Sequence, residues 1–491
     1  MAVRIDVIMS NETPPLQPIR PAYHLRILSD EQLAELNTGT LDILAEIGIH
    51  CPSEKALKIY AEHGANVDFG TQIVKIPPDV VLEALSHAPR HYTMGARSLA
   101  HDIKLDGTAL YCGTDGCGIE VIDFATRQRR PSVKEDIAKM ARVADYLSSI
   151  GFYWPMVSAQ DFPKTSPLHE IEASFSNTVK HVQSETVMGE KTARYAIEMA
   201  HIIAGDKERL RTSPPLSLLV CCIAPLAQDK EGLESALVFA EAGLPVGFMS
   251  MVTAGSTAPT TLAGTVVTGN AEVVSAMVLI QMAFPGAPTF YSLIPGIMHP
   301  RTGDFLGSAW ESTLFYPIGV ELAHHWGVPA LAGIYGTDAP APGWQSAGDA
   351  TSSLMLCALT GAETGNGLGL VESCMLLYPE ALLLDSDIYH RARIEAAGLD
   401  TSPAAQALDV IKKVGPRGHF LSQRHTRDNM RQHVFSDISA QPAAAGGMRD
   451  PIEVARDKVN WILENHKPQP LELPQQSELA RILAAADKEL A

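Results

Sequence analysis

The chain has little with which to hold a polyanion: across 491 residues, 38 Lys and Arg stand against 56 Asp and Glu, a formal net charge of −18. Clustered positive charge is what binds nucleic acid or an anionic membrane surface, so neither is expected as a partner. Cysteine is sparse and irregular. Cys51, Cys112, Cys117, Cys221, Cys222, Cys357 and Cys374 form no CxxC and no framework, which fits reduced thiols better than a disulfide scaffold. No GxSxG, HExxH or GxxxxGK[ST] occurs, so serine-hydrolase, zinc-protease and P-loop chemistry have no local support. The first residues, MAVRIDVIMSNETPP, lack the apolar core of a signal peptide, and the apolar stretches are broken by polar residues before membrane length. A cytoplasmic location is expected.

What the chain does have is one repeated unit. Short apolar runs of strand length occur at Ala109 to Cys112, Gly151 to Val157, His181 to Thr186, Leu216 to Cys222, Pro245 to Met251, Thr289 to Leu293, Ala330 to Tyr335 and Gly367 to Val371. Helical patterns follow them at Lys134 to Leu147, Pro167 to Thr178, Lys191 to Ala204, Lys230 to Ala242, Thr260 to Ala283, Phe305 to Trp326, Ala347 to Thr360 and Glu380 to Glu395. Eight strand-then-helix units predict an α/β fold of the TIM (β/α)8 barrel type. An open doubly wound sheet is the rival. It calls for a Gly-rich nucleotide turn after the first strand, and Gly113, Gly116 and Gly118 lack GxGxxG spacing.

The chain divides accordingly into a mostly helical N-terminal cap (1–107), the barrel (108–400) and a C-terminal extension (401–491) packed on the barrel or on a second subunit; a homo-oligomer is expected. In the cap, Ser29 or Asp30 is placed to cap a helix running to Gly48, a second helix covers Ser53 to His63, and Ala65 to Ile76 alternates like a strand.

In such a barrel, residues at the C-terminal ends of the strands converge on one mouth. They are Tyr111, Asp115, Trp154, Gln183, Glu185, Ser250, Tyr291, Tyr335, Asp338, Trp344, Gln345 and Glu372, with Lys164 and Arg301 the nearest basic residues. Ring faces and carboxylates both present negative potential, which suits a cation unable to donate hydrogen bonds. Each aromatic also has a plain reading as core. Gln183 and Glu185 are two apart and share one face of a strand, and an inward carboxylate has to be satisfied. Asp338, between Gly336 and Pro340, serves equally as a turn former.

The run GTDG, Gly113 to Gly116, with AGSTAPTTLAGTVVTGNAEVVSAMVLIQMAFPGAPTFY, Ala254 to Tyr291, TDAPAPGWQSAGDA, Thr337 to Ala350, and GPRGHFLSQRHT, Gly415 to Thr426, resembles the trimethylamine:corrinoid methyltransferase family. The resemblance extends through AEIGIHCPSEKALKIYAEHGANVD, Ala45 to Asp68. It implies a TIM barrel and methyl transfer to a corrinoid. Members acting on trimethylamine carry pyrrolysine in the barrel, whereas this chain has only standard residues. It therefore looks like the branch without pyrrolysine, which includes the glycine betaine methyltransferases, and the missing position is expected in or near Tyr335 to Pro342.

The chemistry makes that loss intelligible. A quaternary ammonium gives up a methyl group as a neutral tertiary amine, which needs no protonation, so desolvation and orientation are the protein's task. The resemblance implies a quaternary amine such as glycine betaine or proline betaine as substrate. Tyr111, Trp154, Tyr291, Tyr335 and Trp344 are the cage candidates. Gln183, Glu185, Asp338 and Glu372 are candidates for orienting the cation, and Arg301 or Gln345 for meeting a betaine carboxylate. His324 to Gly327 has HxxG spacing, but Leu322 stands where a DxHxxG corrinoid motif requires Asp. The corrinoid (cobalamin) is accordingly expected on a separate partner protein rather than bound by this chain. Transfer to tetrahydrofolate, and a silent quaternary-amine sensor, are the alternatives.

Overall fold

The computed structural model describes residues 12–116, 118–334, 336–430 and 435–490. Among them, eight short strands run parallel: β1 (Tyr111–Thr114), β2 (Ile150–Tyr153), β3 (His181–Ser184), β4 (Leu216–Cys221), β5 (Val246–Ser250), β6 (Thr289–Leu293), β7 (Leu331–Gly333) and β8 (Thr364–Leu368). They lie in the order β6, β5, β4, β3, β2, β1, β8, β7, and a parallel bridge from Tyr291 to Ala330 closes β6 onto β7. The chain is a (β/α)8 barrel.

Each strand lies where an apolar run marked it, except that β8 begins ahead of Gly367. The residues that open it are polar and read as loop in the sequence. Buried Glu363 is satisfied by His324 Nε2 at 3.0 Å and by the Ala330 amide at 2.9 Å, and Thr364 Oγ1 donates to Ala330 O at 3.0 Å. Side-chain partners thus let a polar segment enter the barrel wall.

The N-terminal region supplies helices α1 (Asp30–Asp42), α2 (Glu54–Glu62) and α3 (Pro78–Ser86). Ser29 caps α1 in a capping box with Gln32. The segment read as one strand from Ala65 to Ile76 is two, Asn66–Asp68 and Ile73–Lys75, paired antiparallel. Asp68 Oδ1 accepts the amides of Gly70 and Thr71 and so makes the turn between them.

The barrel helices are α4 (Lys134–Tyr146), α5 (Ser166–Asn177), α6 (Glu190–Ala204), α7 (Lys230–Glu241), α8 (Leu262–Ala283), α9 (Phe315–His325), α10 (Trp344–Thr360) and α11 (Ala381–Ala396). The expected helix from Phe305 starts only at Phe315. Phe305–Leu306 instead pairs antiparallel with Gly296–Met298, folding the stretch after β6 over the barrel end. Helix α8 is long and apolar enough to cross a membrane by length and composition alone. It is apolar all round because the barrel covers one side and α1, α2 and α3 pack on it from elsewhere.

Inside the barrel, Tyr111, Phe152, Leu219, Met249, Phe290 and Leu331 form one apolar cluster. Met94, Ile103 and Leu105, from the hairpin Tyr92–Met94 with Ile103–Leu105, join it from the N-terminal end and close the barrel bottom. His181 is buried in this floor, with Nδ1 2.6 Å from Gly95 O and Nε2 2.8 Å from Ser217 Oγ. Burial pulls it down to about 4 and keeps it neutral.

After the barrel, α12 (Pro451–Asn465) packs on α4 and α11, and α13 (Leu473–Leu490) on α5 and α6. The tie between the two helices is chemical. His466 Nε2, Thr13 Oγ1, Thr178 Oγ1 and the Val179 amide all reach the Asp145 carboxylate, at 2.8, 2.6, 2.9 and 2.8 Å. Burial opposes ionisation of Asp145, yet these donors and nearby Lys180 hold its carboxyl below the ordinary value. Removing one member of a buried, hydrogen-bonded charge network strands the others. Asp145→Ala is therefore expected to lower stability by about 3–5 kcal/mol in urea unfolding; a loss under about 1 kcal/mol would show that the network does not dock the extension.

Candidate functional site

The strand ends deliver two carboxylates to the mouth. Asp115 follows β1 directly, its amide donating to Leu368 O at 2.9 Å, and Glu185 follows β3 directly. Cys221, the last residue of β4, donates its thiol to Glu185 Oε1 at 2.7 Å. Asp115 is 4% exposed; its Oδ1 accepts the Gly116 amide at 3.0 Å, while Oδ2 has no hydrogen-bond partner among the described residues. Burial pushes Asp115 up to about 6, and the Glu185 charge adds to the rise, against the pull of the Gly116 amide and the adjacent Cys374 thiol.

Two amides complete the polar groups of the mouth. Gln183 is 1% exposed and Asn366 on β8 is buried, and among the described residues Gln183 Nε2 and Asn366 Oδ1 have no hydrogen-bond partner. Gln183, Ser217 and Leu219 alternate along the inward faces of β3 and β4, which is why Gln183 and Glu185 point the same way.

Trp154 stands at the end of β2. Its backbone is clamped by Thr114 Oγ1, which donates to Trp154 O at 2.7 Å and accepts from Trp154 N at 2.9 Å. Its indole lies so close over the GTDG turn that a Cβ on Gly116 would sit 2.1 Å from a ring atom. Gly113 is required in the same way beneath the Phe152 ring. The two glycines are thus where aromatic side chains meet bare backbone.

Asp338 is placed as a tie rather than an open ligand. Oδ2 accepts from Ser308 N and Oγ at 2.9 and 2.8 Å, and Oδ1 accepts from Ser373 Oγ at 2.5 Å and more weakly from Gly307 N at 3.3 Å. One carboxylate therefore joins the loops after β6, β7 and β8. Beside it, Glu372, Ser373 and Cys374 are consecutive left-handed residues with φ of 53°, 51° and 70°. That conformation costs about 1–2 kcal/mol per non-glycine residue. It is held by Glu372 N to Ala339 O and Ser373 N to Thr337 O, both 2.9 Å, and it sets Cys374 beside Asp115.

The other sequence candidates lie elsewhere. Tyr291 faces outward from β6, its hydroxyl donating to Asn270 Oδ1 at 2.9 Å in the layer beneath α8; in register with Phe248, it falls on the helix side of the wall. Glu372 turns from the mouth to an ion pair with Arg129 at 2.9 Å. Tyr111 is packed low in the barrel interior, against the plug. Arg301 is exposed in the turn between Gly296–Met298 and Phe305–Leu306. Trp344, 91% exposed, and exposed Gln345 open α10 on the rim. Tyr335 lies outside the described residues.

Sequence reading missed Cys221, Cys374 and Asn366, because lone thiols and amides carry no spacing pattern. It also missed the rim. Met188, Ile223, Met251, Trp310, Trp344 and Met375 are exposed large apolar residues on the loops after β3, β4, β5, β6, β7 and β8, with Trp310 at 96%. A cavity of about 1510 Å³ lies between α11, the N-terminal stretch, the segment before α12 and the loops after β7 and β8, bounded by Gln17, Tyr146, Trp344, Leu370, His390 and Asp437. It is a trench under the extension and leaves the floor of the mouth untouched.

Comparison with known proteins covers nearly the whole chain. The family described as trimethylamine methyltransferase matches residues 7–491. The trimethylamine methyltransferase MttB of Desulfitobacterium hafniense (strain DSM 10664 / DCB-2) is 32% identical over 454 residues, 91% of each chain. That of Methanosarcina barkeri (strain Fusaro / DSM 804) is 29% identical over 478 residues, 94% of this chain and 96% of its own. A glycine betaine methyltransferase of Desulfitobacterium hafniense (strain Y51) is 29% identical over 477 residues, 96% of this chain and 98% of its own. By this match from end to end, on a barrel whose mouth pairs two carboxylates above an aromatic floor, the chain belongs to the trimethylamine methyltransferase family.

Proposed function

We propose that this enzyme removes a methyl group from a quaternary ammonium compound and passes it to the Co(I) corrinoid of a separate protein docked on the barrel mouth. The observation that carries the reading is the pairing of Asp115 with Glu185 in a mouth whose loops after β3, β5, β7 and β8 contain no Lys or Arg. The buried Asp115 carboxylate, with Oδ2 unsatisfied among the described residues, calls for a cation. A quaternary nitrogen supplies charge without a proton to give. The exposed apolar rim, from Met188 to Met375, is a surface a protein partner can cover.

Bound corrinoid supplies the nucleophile that takes the methyl carbon. The chain's own residues do the rest. Asp115 and Glu185 hold the ammonium charge, and Trp154, fixed by Thr114 and Gly116, walls the floor so that one methyl faces outward. The N–C bond breaks with its electron pair remaining on nitrogen, and the amine departs neutral. No general acid is needed. As the positive charge vanishes the carboxylates lose their counterion, which weakens their hold on the product.

Two outcomes follow from charge that is strongest before reaction. The carboxylates bind the ground state at least as well as the transition state, so losing one raises KM and does not lower kcat. Glu185→Gln, whose Oε1 still accepts from Cys221, is expected to raise KM about tenfold or more while kcat stays within about threefold; a fall in kcat with KM unchanged would make Glu185 a chemical participant instead. The second concerns stability. The folded-state value of Asp115, about 6, lies above the ordinary 3.8, so stability falls as pH rises from about 4 through 6 while the buried group ionises. The stability gained by Asp115→Asn should therefore grow by about 3 kcal/mol between pH 4 and pH 7 in denaturant titrations, and saturating tetramethylammonium should shrink it. A gain independent of pH would mean that Asp115 is already paired.

A further inference from the structure

We infer, building on that reading, that the mouth selects quaternary ammonium compounds of net positive charge, such as tetramethylammonium or choline, over zwitterionic betaines, with Asp115 and Glu185 as the selecting pair. In a glycine-derived betaine the carboxylate is one methylene from nitrogen, so its oxygens lie about 3 Å from the ammonium centre. A nitrogen placed against Asp115 and Glu185 brings that carboxylate into the same negative field. Like charges there oppose binding, and low local dielectric strengthens the opposition.

Among the described residues, the basic side chains that could offset this are ion-paired or face solvent. Among the basic residues of the loop after β1, Arg127 pairs with Glu380, Arg129 with Glu120 and Glu372, and Arg130 with Asp123 and Asp136. Lys164 and Arg301, on the loops after β2 and β6, and Lys230, the first residue of α7 after β4, are exposed to solvent. The remaining loops have no Lys or Arg. His181 is buried in the barrel floor, where both ring nitrogens are engaged.

The unpaired polar atoms point the same way. Among the described residues of the mouth, Asp115 Oδ2 and Asn366 Oδ1 are buried acceptors that receive no hydrogen bond, and Gln183 Nε2 is a buried donor that gives none. A bound carboxylate brings only acceptors and takes two or three donors when buried. A hydroxyl group answers both needs, since it donates to a carboxylate or amide oxygen and accepts from an amide nitrogen. A net cation with a neutral hydroxyl arm, or with no arm at all, is the chemical class that fits.

Calorimetric titration of the full chain with tetramethylammonium, choline and glycine betaine at one pH and ionic strength tests this. Kd for the two net cations is expected to be at least tenfold lower than for glycine betaine, and Asp115→Asn and Glu185→Gln should each narrow that ratio. Equal or tighter betaine binding by the wild-type chain overturns the inference and leaves the demethylase reading standing. Failure of all three to bind overturns both. A wild-type preference that survives in folded Asp115→Asn and Glu185→Gln proteins overturns the assignment of the selecting pair.

Discussion

Two like charges held in the mouth of a dry barrel are the constraint on which the site depends. Asp115 follows β1 and Glu185 follows β3, two strands along the same wall, and the Glu185 charge raises the cost of ionising Asp115. The floor below them is apolar, from Phe152 and Leu219 down to the plug of Met94, Ile103 and Leu105. Thiols from Cys221 and Cys374 approach the pair, yet burial and these same carboxylates keep both thiols protonated, so they add no charge. Asp115 Oδ2 is left without a hydrogen-bond partner among the described residues, and that is what the proposed function uses.

Holding the carboxylates in place takes much of the surrounding architecture. The Asp338 carboxylate ties three loops together, and the left-handed run Glu372 to Cys374 is tolerated because its amides reach Thr337 and Ala339. Arg129 clamps the same run from outside through Glu372. Backbone strain of this kind persists only where the neighbouring contacts over-determine it. On the far side, the Asp145 network fastens the C-terminal helices to the outer wall of the barrel, away from the mouth. Rigidity and chemistry are thus divided between the two ends of the strands.

The barrel was legible in the sequence because each strand is a short apolar run bounded by turn residues, and the period of the repeat survives even where loops are long. Where a strand carries buried polar groups, as at Glu363 and Thr364, the pattern fails, since only the fold reveals that His324 and Ala330 satisfy them. The site was legible in part. Gln183 and Glu185 could be placed on one face by spacing alone, and Asp115 by its position after a strand. Tyr291 could not, because parity along an all-buried strand does not say which face is inside. Asp338 and Glu372 look like ligands in a loop and are satisfied by partners remote in sequence, Ser308, Ser373 and Arg129.

The central claim is transfer of a methyl group from a quaternary nitrogen to cobalt on another protein. It is tested most directly by incubating the purified chain with methyl-¹³C-labelled tetramethylammonium and a reduced, Co(I) corrinoid protein, and following the label by NMR. The account predicts label on cobalt and trimethylamine in equal amounts, with no transfer when the corrinoid protein is omitted. Methyl transfer to tetrahydrofolate without cobalt, or binding with no demethylated product at all, would contradict it.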